Sequence, residues 1–499
     1  MRIKNLENLT SHGNVEGRKL IAEIMEAGLQ ASDPYYNTLK LLHIEDGKLH
    51  IGYPDFEPTG SPRTGEDVYD LSKDIDRIFI FGAGKGVQRV VKALEEILGD
   101  YLVGGQVVVK YGDELILDKV QVAWGGHPLP DEGCVEGCKR IIASIEAAHL
   151  TERDLVFTVA GNGISSLLTL PVPEVSLPEV MEMVRITQIV RGLPTSKVSI
   201  IRNQLDQLKG GRITRLLRPA KMIHIQAIDI NEVNSFGDRG YRAMTQSNMW
   251  LHFLPDMSSA EDAIKILKDS DSWDLVSESI RKYLSQPHPE RDVLRKEEFE
   301  QMDCRIYGIM PTHMNFVPVA MQKAEELGYP AHLLTRKTFV EASVAGALVG
   351  RIATTVENYE TPFKAPCALV LTGELVVTVG KEGGIGGRNQ EFALAASTVL
   401  FGSKRIVIAT ADTDGTDGPG GRFDEDAWNQ GCHTLTGGIV DGYLLEEAKE
   451  RGVDVQDALK THATSKALWQ LDSGIWATQN ISVQDLIVVL IMDHDGATS

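Results

Sequence analysis

Cysteine, long apolar runs and net positive charge are all scarce in this sequence of 499 residues. The cysteines are too few for a disulfide framework in so long a chain, and nothing near the first two completes a zinc site. We expect reduced, half-buried thiols at Cys134 and Cys138, with a metal-binding pair as the alternative; the other cysteines are Cys304, Cys367 and Cys432.

No apolar run approaches the roughly 20 residues that a bilayer-spanning helix needs. The opening segment MRIKNLENLTSHGN lacks the apolar core of a signal peptide. Together these absences predict a soluble, cytoplasmic protein with no membrane partner.

The formal charge is −20 at pH 7. A surface this acidic repels nucleic acid, so we expect no nucleic-acid partner. It does not exclude a small anionic substrate, because a local loop can be positive on a negative protein. A homodimer stays open.

Glycine, in contrast, is abundant at 47 residues and clusters after strand-like segments. RIFIF runs into GAGKG and a helical segment, and DLVFTVA runs into GNGISSLL. This alternation predicts an α/β fold with a doubly wound, Rossmann-like parallel sheet. The length predicts two α/β domains, residues 1–285 and 300–499, joined through the charged, proline-containing segment 268–300.

Several loops of the predicted N-terminal domain suit an anionic ligand. Gly82, Gly84 and Lys85 close the RIFIF strand and open a helix, where backbone N–H groups, the helix dipole and the lysine charge attract phosphate or carboxylate. Gly163 and Ser165 form a similar turn. A tight turn with a solvated lysine is the alternative for GAGKG.

Two further features are a histidine and a basic loop. His127, between glycines and prolines in GGHPLPD, suits substrate binding or proton transfer, and equally a hydrogen bond to its own loop. Lys209 and Arg212 flank two glycines in KGGR. They are candidate phosphate ligands, with a solvated helix end as the alternative.

The predicted C-terminal domain carries the densest motif, GGIGGRNQE at 383–391. Gly386 and Gly387 let the backbone approach a ligand, and Arg388 can contact phosphate or carboxylate through two parallel hydrogen bonds. Asn389 and Glu391 add polar groups to the same turn.

An acidic loop, DTDGTDG, follows the strand RIVIATA. Asp414 and Asp417 resemble a hard-cation site for Mg²⁺, and Glu374 of the TGE segment is a third candidate ligand. The alternative is an Asx-rich turn that caps a helix.

Taken in order, GAGK, GGHPLPDEG, the glycine–serine turn, LKGGRI, TGE, GGIGGRNQE and TDGTDG resemble the type-2 glycerate kinases, whose C-terminal unit is called MOFRL. The resemblance runs from about Arg18 to the last strand. It implies transfer of the ATP γ-phosphate to the 2-hydroxyl of D-glycerate or a related small hydroxy or sugar acid, with Mg²⁺, in a cleft between two domains. It also implies catalytic positions for Lys85 and Arg388, and Asp229 matches the family's aspartate.

The chain departs from the family in its loops. Where the family has V-R-K-H-L-S, this chain reads I-R-N-Q-L-D, so Asn203 and Gln204 replace a lysine and a histidine. Loss of charge around a triphosphate weakens ATP binding. The alternative is an isomerase, epimerase or lyase that acts on a sugar acid with a divalent metal, with His127, Asp229, Glu232 and Glu391 as acid–base groups. A third hypothesis is a binding protein that senses a metabolite.

Overall fold

The computed structural model describes residues 1–127, 129–228, 240–246, 248, 250–311, 314–379, 383–418, 429, 431–478 and 484–493. They form two compact units. Residues 34–312 are called the parallel-sheet unit below, and residues 1–33 with 313–499 are called the mixed-sheet unit.

Helices and strands are numbered along the chain. Helices α1 to α19 span, in order, Leu6–Leu9, Val15–Ala31, Pro34–Leu41, Val87–Leu98, Glu132–Ala148, Ile164–Leu167, Leu177–Val184, Thr195–Gln204, Arg212–Leu216, Gly240–Gln246, Ala260–Asp269, Glu278–Leu284, Lys296–Phe299, Phe316–Glu326, Ala342–Tyr359, Arg388–Leu400, Leu444–Arg451, Val455–Lys460 and Thr464–Gln470. Strands β1 to β15 span Leu42–Glu45, Lys48–Ile51, Asp67–Asp70, Arg77–Ala83, Leu102–Lys110, Gln121–Gly125, Asp154–Gly161, Lys221–Ala227, Cys304–Gly308, Ala331–Thr335, Cys367–Gly373, Ile406–Asp412, Gly437–Asp441, Gly474–Ile475 and Asp485–Ile491.

Within the described residues, six parallel strands form the main sheet of the parallel-sheet unit, in the order β6-β5-β4-β7-β8-β9. Numbered within the sheet, this is the order 3-2-1-4-5-6 of dinucleotide-binding folds. The doubly wound prediction is confirmed. The order reverses between β4 and β7, so a crevice at their carboxyl ends is the expected ligand position.

A helical layer of this unit contains the segment that the sequence suggested as an interdomain connection. Val276, Ile280 and Leu284 are buried in one core with α7, α8 and α11. The prediction of a linker at 268–300 is therefore wrong, because the segment's apolar residues recur at helical spacing beneath its charged surface.

The mixed-sheet unit has the strand order β10-β11-β15-β12-β13-β14 within its described residues. Strand β15 runs antiparallel between β11 and β12. The carboxyl ends of β11 and β12 therefore meet the amino end of β15 at one edge, where Gly373 and Asp412 are both in register with Asp485.

The first 33 residues pack on this mixed sheet. The predicted domain 1–285 had placed them with the parallel sheet instead. Ile21, Met25 and Leu29 of α2 share a buried core with α14 and the sheet. Arg18, fully buried, donates to Asp441 Oδ2 at 2.6 Å. The apolar stripe of α2 thus covers one face of the sheet.

Two smaller predictions also change. The apolar segment LVVTVG predicts a strand, but over 375–379 the described residues form only an isolated bridge between Val376 and Glu341. No disulfide joins the five described cysteines, and Cys134 and Cys138 are fully rather than half buried. None of the described helices is both long and apolar enough to cross a membrane.

Candidate active site

The turns after β4 and β7 are locked together at the point where the strand order reverses. Gly84 has φ 137°, and a Cβ there would lie 2.5 Å from the Gly161 Cα. The Lys85 N–H donates to the Asn162 carbonyl at 2.7 Å. Only glycine fits so close a backbone approach, and the turn thereby carries Lys85 at the predicted crevice.

His127 reaches the same place. A Cβ on Gly163 would lie 2.8 Å from the His127 Nε2 and 3.5 Å from the Lys85 Cγ. The structure therefore brings Lys85, His127 and Gly163 together, and Ser165 follows within the short helix α6. Gly82 is instead a strand residue, since a Cβ there would lie 2.5 Å from the Val159 carbonyl oxygen of β7.

Lys209 and Arg212 require a correction. The Lys209 ammonium is buried and donates to the Leu168 carbonyl, the Thr169 hydroxyl and Asp206. Arg212 donates to three backbone carbonyls, those of Asn203, Lys209 and Arg291. Their donors hold the loop together, so we withdraw them as phosphate ligands.

Arg388 lies at the edge where β11, β12 and β15 meet. Its Nε donates to Asp485 Oδ1 and its Nη2 to Asp412 Oδ2, both at 2.9 Å, and its Nη1 is 3.5 Å from Glu374 Oε1. Burial acts to lower the pKa of Arg388, but the charges of Asp412 and Asp485 outweigh it and raise that pKa above its usual value. The guanidinium is thus fixed in place by carboxylates.

The two C-terminal motifs form one structure. Asp417 accepts the backbone N–H groups of Asn389 at 3.2 Å and Gln390 at 2.9 Å, and so caps α16. A Cβ on Gly387 would lie 2.3 Å from the Asp417 Cγ. Burial raises the pKa of Asp417 to about 7. The capping alternative describes Asp417 better than a metal ligand does, and we correct that prediction.

Asn389 and Glu391 point into the protein. The Asn389 amide donates to Asp485 Oδ1 at 2.6 Å, and Glu391 pairs with His462 Nδ1 at 2.8 Å. Both are buried, which corrects their predicted role as ligand contacts. Their side chains support the turn that carries Arg388.

The glycine loop lies along a neighbouring segment. The Gly384 N–H donates to the Thr461 carbonyl at 2.8 Å, and the Ser465 N–H donates to the Ile385 carbonyl at 3.1 Å. A Cβ on Gly386 would lie 2.3 Å from the Thr464 Oγ1. The packing of this segment thus accounts for the requirement for glycine at 384 and 386.

Sequence reasoning placed Asp412 only within the acidic loop, and it missed Asp485 and His462. Asp485 had a usable signal, because a carboxylate that opens a fully apolar strand has to find a partner at the sheet edge. His462 had none, because it lies 71 residues from Glu391.

The remaining metal candidates are Asp414 and Glu374. Asp414 Oδ1 accepts the Thr416 N–H at 2.9 Å, and Glu374 is half exposed. Among the described residues, one set of three side chains, His43, Glu45 and His50, has its possible metal-ligand atoms within 4.8 Å of one another. Asp414 and Glu374 do not belong to such a set. The catalytic candidate Asp229 lies outside the described residues.

Known proteins match over nearly all of this architecture. Residues 20–285 match the family described as "Domain of unknown function (DUF4147)", and residues 367–482 match the MOFRL family. D-glycerate 2-kinase of Thermotoga maritima is 32% identical over 423 residues, which cover 84% of this chain and 92% of that protein. The chain belongs to the glycerate 2-kinase family.

Other members of the glycerate 2-kinase family agree in length and fold. Glycerate 2-kinase of Pyrococcus horikoshii is 28% identical over 484 residues, 97% of this chain and 98% of that protein. The crystal structure of the Thermotoga maritima glycerate kinase has a TM-score of 0.69 and 28% identity, and covers 95% of this chain and 99% of that chain. The predicted resemblance to the glycerate 2-kinase family is confirmed.

Proposed function

We propose that this member of the glycerate 2-kinase family transfers the γ-phosphate of ATP to a hydroxyl of D-glycerate or a related small hydroxy acid, with Mg²⁺. The observation that carries the proposal is the position of Lys85 and His127, gathered around Gly163 where the strand order reverses. Phosphoryl transfer depends on positioned cations and backbone N–H groups rather than on covalent chemistry.

In this proposal Lys85 and the N-terminus of α4 bind phosphate, and His127 binds the substrate or accepts its hydroxyl proton. Arg388, oriented by Asp412 and Asp485, contacts an anionic oxygen of a substrate. Asp229 stays a candidate for proton transfer. The protein partner that we keep open is a second copy of the chain.

The carboxylates at the Arg388 edge support a divalent cation. Asp412, Asp485 and Glu374 outnumber the one guanidinium that they contact, and the Asp414 N–H donates to Asp412 Oδ1 at 3.1 Å. Mg²⁺ takes oxygen ligands and is usually bound by one or two carboxylates plus substrate phosphates. We propose that Asp414 and Glu374 would hold it, where it would neutralise phosphate charge.

The test is ADP release from MgATP with D-glycerate, L-glycerate and a panel of hydroxy acids, followed by identification of the phosphorylated product. The Lys85→Met variant should lose about two orders of magnitude in kcat, the usual effect of removing one charge-stabilising donor. Lys92→Met, a partly exposed lysine on α4 paired with Asp118, is the matched control.

Absence of ADP release with every acid, together with absence of an ATP-dependent rise in Tm, would refute the kinase. Consumption of a sugar acid without nucleotide would instead support the isomerase alternative. Nothing among the described residues favours that alternative over phosphoryl transfer.

A further inference from the structure

Arg202, on α8, is a buried cation with little to hold it. Its side chain is 6% exposed. Its described hydrogen bond runs from Nη2 to Gln188 Oε1, at the limiting distance of 3.5 Å. Burial lowers the pKa of Arg202 to about 10, and no described carboxylate acts in the opposite direction.

Several other buried arginines of this chain are paired with carboxylates, and the buried Arg212 donates to three backbone carbonyls. Arg18 donates to Asp441 at 2.6 Å, and Arg305 donates to Asp67 and Glu57, both at 2.9 Å. Burying a charge costs on the order of several kcal/mol unless the charge is paired and hydrogen-bonded. Unlike these arginines, Arg202 has neither a carboxylate nor a set of carbonyls for its donors among the described residues.

Two buried residues near Arg202, Ser199 and His252, have polar side-chain atoms without a partner among the described residues. Ser199, three residues earlier on the same face of α8, is fully buried, and its Oγ has no hydrogen-bond partner among the described residues. Neither ring nitrogen of the buried His252 has a described partner. Burial, with the charges of Lys209 and Arg202, holds the pKa of His252 well below its usual value, so the ring is neutral and offers one N–H donor.

The adjacent amides of the altered family motif are turned elsewhere. Asn203 donates to Asp256 at 2.5 Å, and Gln204 donates to the Ser258 hydroxyl at 3.1 Å. Beyond α8 the chain returns towards the turn after β7, near the point where the strand order reverses. There the N–H of Val172, a few residues after α6, donates to the Leu205 carbonyl at 2.9 Å. Arg202 therefore sits in the same unit as Lys85.

We propose that Arg202, with the Ser199 hydroxyl and the His252 N–H, binds an oxyanion of a small ligand. Carboxylate and phosphate each present a pair of charged oxygens that can accept two parallel hydrogen bonds from a guanidinium. The ligand is thus the carboxylate of a hydroxy acid or a phosphate group. Only this choice of ligands rests on the proposed function. That Arg202 needs an anion follows from its burial and from the lack of a carboxylate partner among the described residues.

The experiment compares the full chain with Arg202→Met, Arg202→Lys and the control Arg185→Met, which removes an exposed arginine paired with Glu182. Each protein is titrated with sodium D-glycerate, MgATP and inorganic phosphate, by calorimetry and by thermal shift. Methionine keeps the apolar stem that packs in the core and removes the charge.

Without ligand, Arg202→Met should melt at or above the wild-type temperature, because removing an unpaired buried charge relieves a cost. At least one probe should bind wild type and the control, bind Arg202→Lys more weakly, and bind Arg202→Met at least tenfold more weakly. Selective loss of glycerate binding identifies a carboxylate, and loss of MgATP or phosphate binding identifies a phosphate.

Three results would overturn the inference. They are a fall of several degrees in the Tm of ligand-free Arg202→Met, equal binding of all probes by wild type and that variant, and binding of none of the probes by wild type. If wild type releases no ADP but still binds glycerate or phosphate through Arg202, the proposed kinase fails and the anion site stands.

Discussion

At the residue scale, the same sequence pattern led to opposite outcomes. Lys85 and Lys209 both stand beside glycines near a helix, and both suggested phosphate contacts. Lys85 lies at the carboxyl end of β4 beside His127, whereas Lys209 spends its donors on Leu168, Thr169 and Asp206. A local charge pattern in the sequence does not indicate which carbonyl groups the fold will bring within hydrogen-bonding distance of a lysine.

Arg388 should not tolerate replacement by lysine. Its planar fork spans Asp412 and Asp485, and a lysine ammonium is a point charge that cannot orient itself on both. We expect Arg388→Lys to reduce kcat with D-glycerate by about two orders of magnitude, measured by ADP release. A kcat within threefold of wild type would show that only the positive charge matters.

Asp417 should make stability depend on pH. Burial raises its pKa to about 7 from the usual 3.8. Between these values the folded state holds a proton that the unfolded state has released, so the free energy of unfolding falls as the pH rises through that window. The Asp417→Asn variant lacks this contribution.

The measurement is urea unfolding of wild type and Asp417→Asn at four pH values from 4.5 to 7.5. The difference in unfolding free energy should shift steadily in favour of the variant as the pH rises. Asp118→Asn, at a highly exposed carboxylate, is the control and should run parallel to wild type. Parallel curves for Asp417→Asn would contradict the raised pKa.

At the element scale, two loops that read as separate motifs support each other. Asp417 of the acidic loop lies against Gly387 in the turn before α16 and caps that helix. This close approach is possible because residue 387 has no side chain. The sequence predicted both loops and the strand RIVIATA, which forms β12. It could not predict their union, because 28 residues separate Asn389 from Asp417.

Alanine substitutions within the glycine loop should separate these contacts from general flexibility. Gly387→Ala drives a Cβ to 2.3 Å from Asp417 and should destabilise the unit by about 1–3 kcal/mol or more. Among the described residues, a Cβ at Gly383 would meet Val379 alone, at 3.5 Å, so Gly383→Ala is the matched control. Chemical denaturation would measure both, and equal effects would contradict the packing argument.

At the scale of the whole molecule, the two α/β units could be predicted from the sequence, but their ends were misassigned. The parallel, doubly wound sheet followed from the alternation of strands and helices. The partner of α2 did not, because an amphipathic helix records that it has an apolar face and not which sheet covers that face. Residues 1–33 consequently belong to a unit that resumes at 313.

A chain of residues 313–499 alone should therefore be poorly soluble and unfold at lower temperature. Its sheet would expose the buried face formed by Val407, Val488 and Leu490, which α2 and α14 cover together. Adding residues 1–33 through a flexible linker should restore a cooperative transition, measured by calorimetry. A well-folded 313–499 fragment would contradict this role for α2.

The position of β15 has a consequence for synthesis on the ribosome. This strand is made after β11 and β12 yet lies between them, and α2, made first, packs on the same sheet. At a synthesis rate of roughly 5–20 residues per second, that strand is made tens of seconds after α2. The nascent chain therefore completes the parallel-sheet unit, an uninterrupted stretch, while both flanks of the mixed-sheet unit stay unpaired. Factors that bind exposed apolar segments should engage α2 during that interval and release it when β15 emerges.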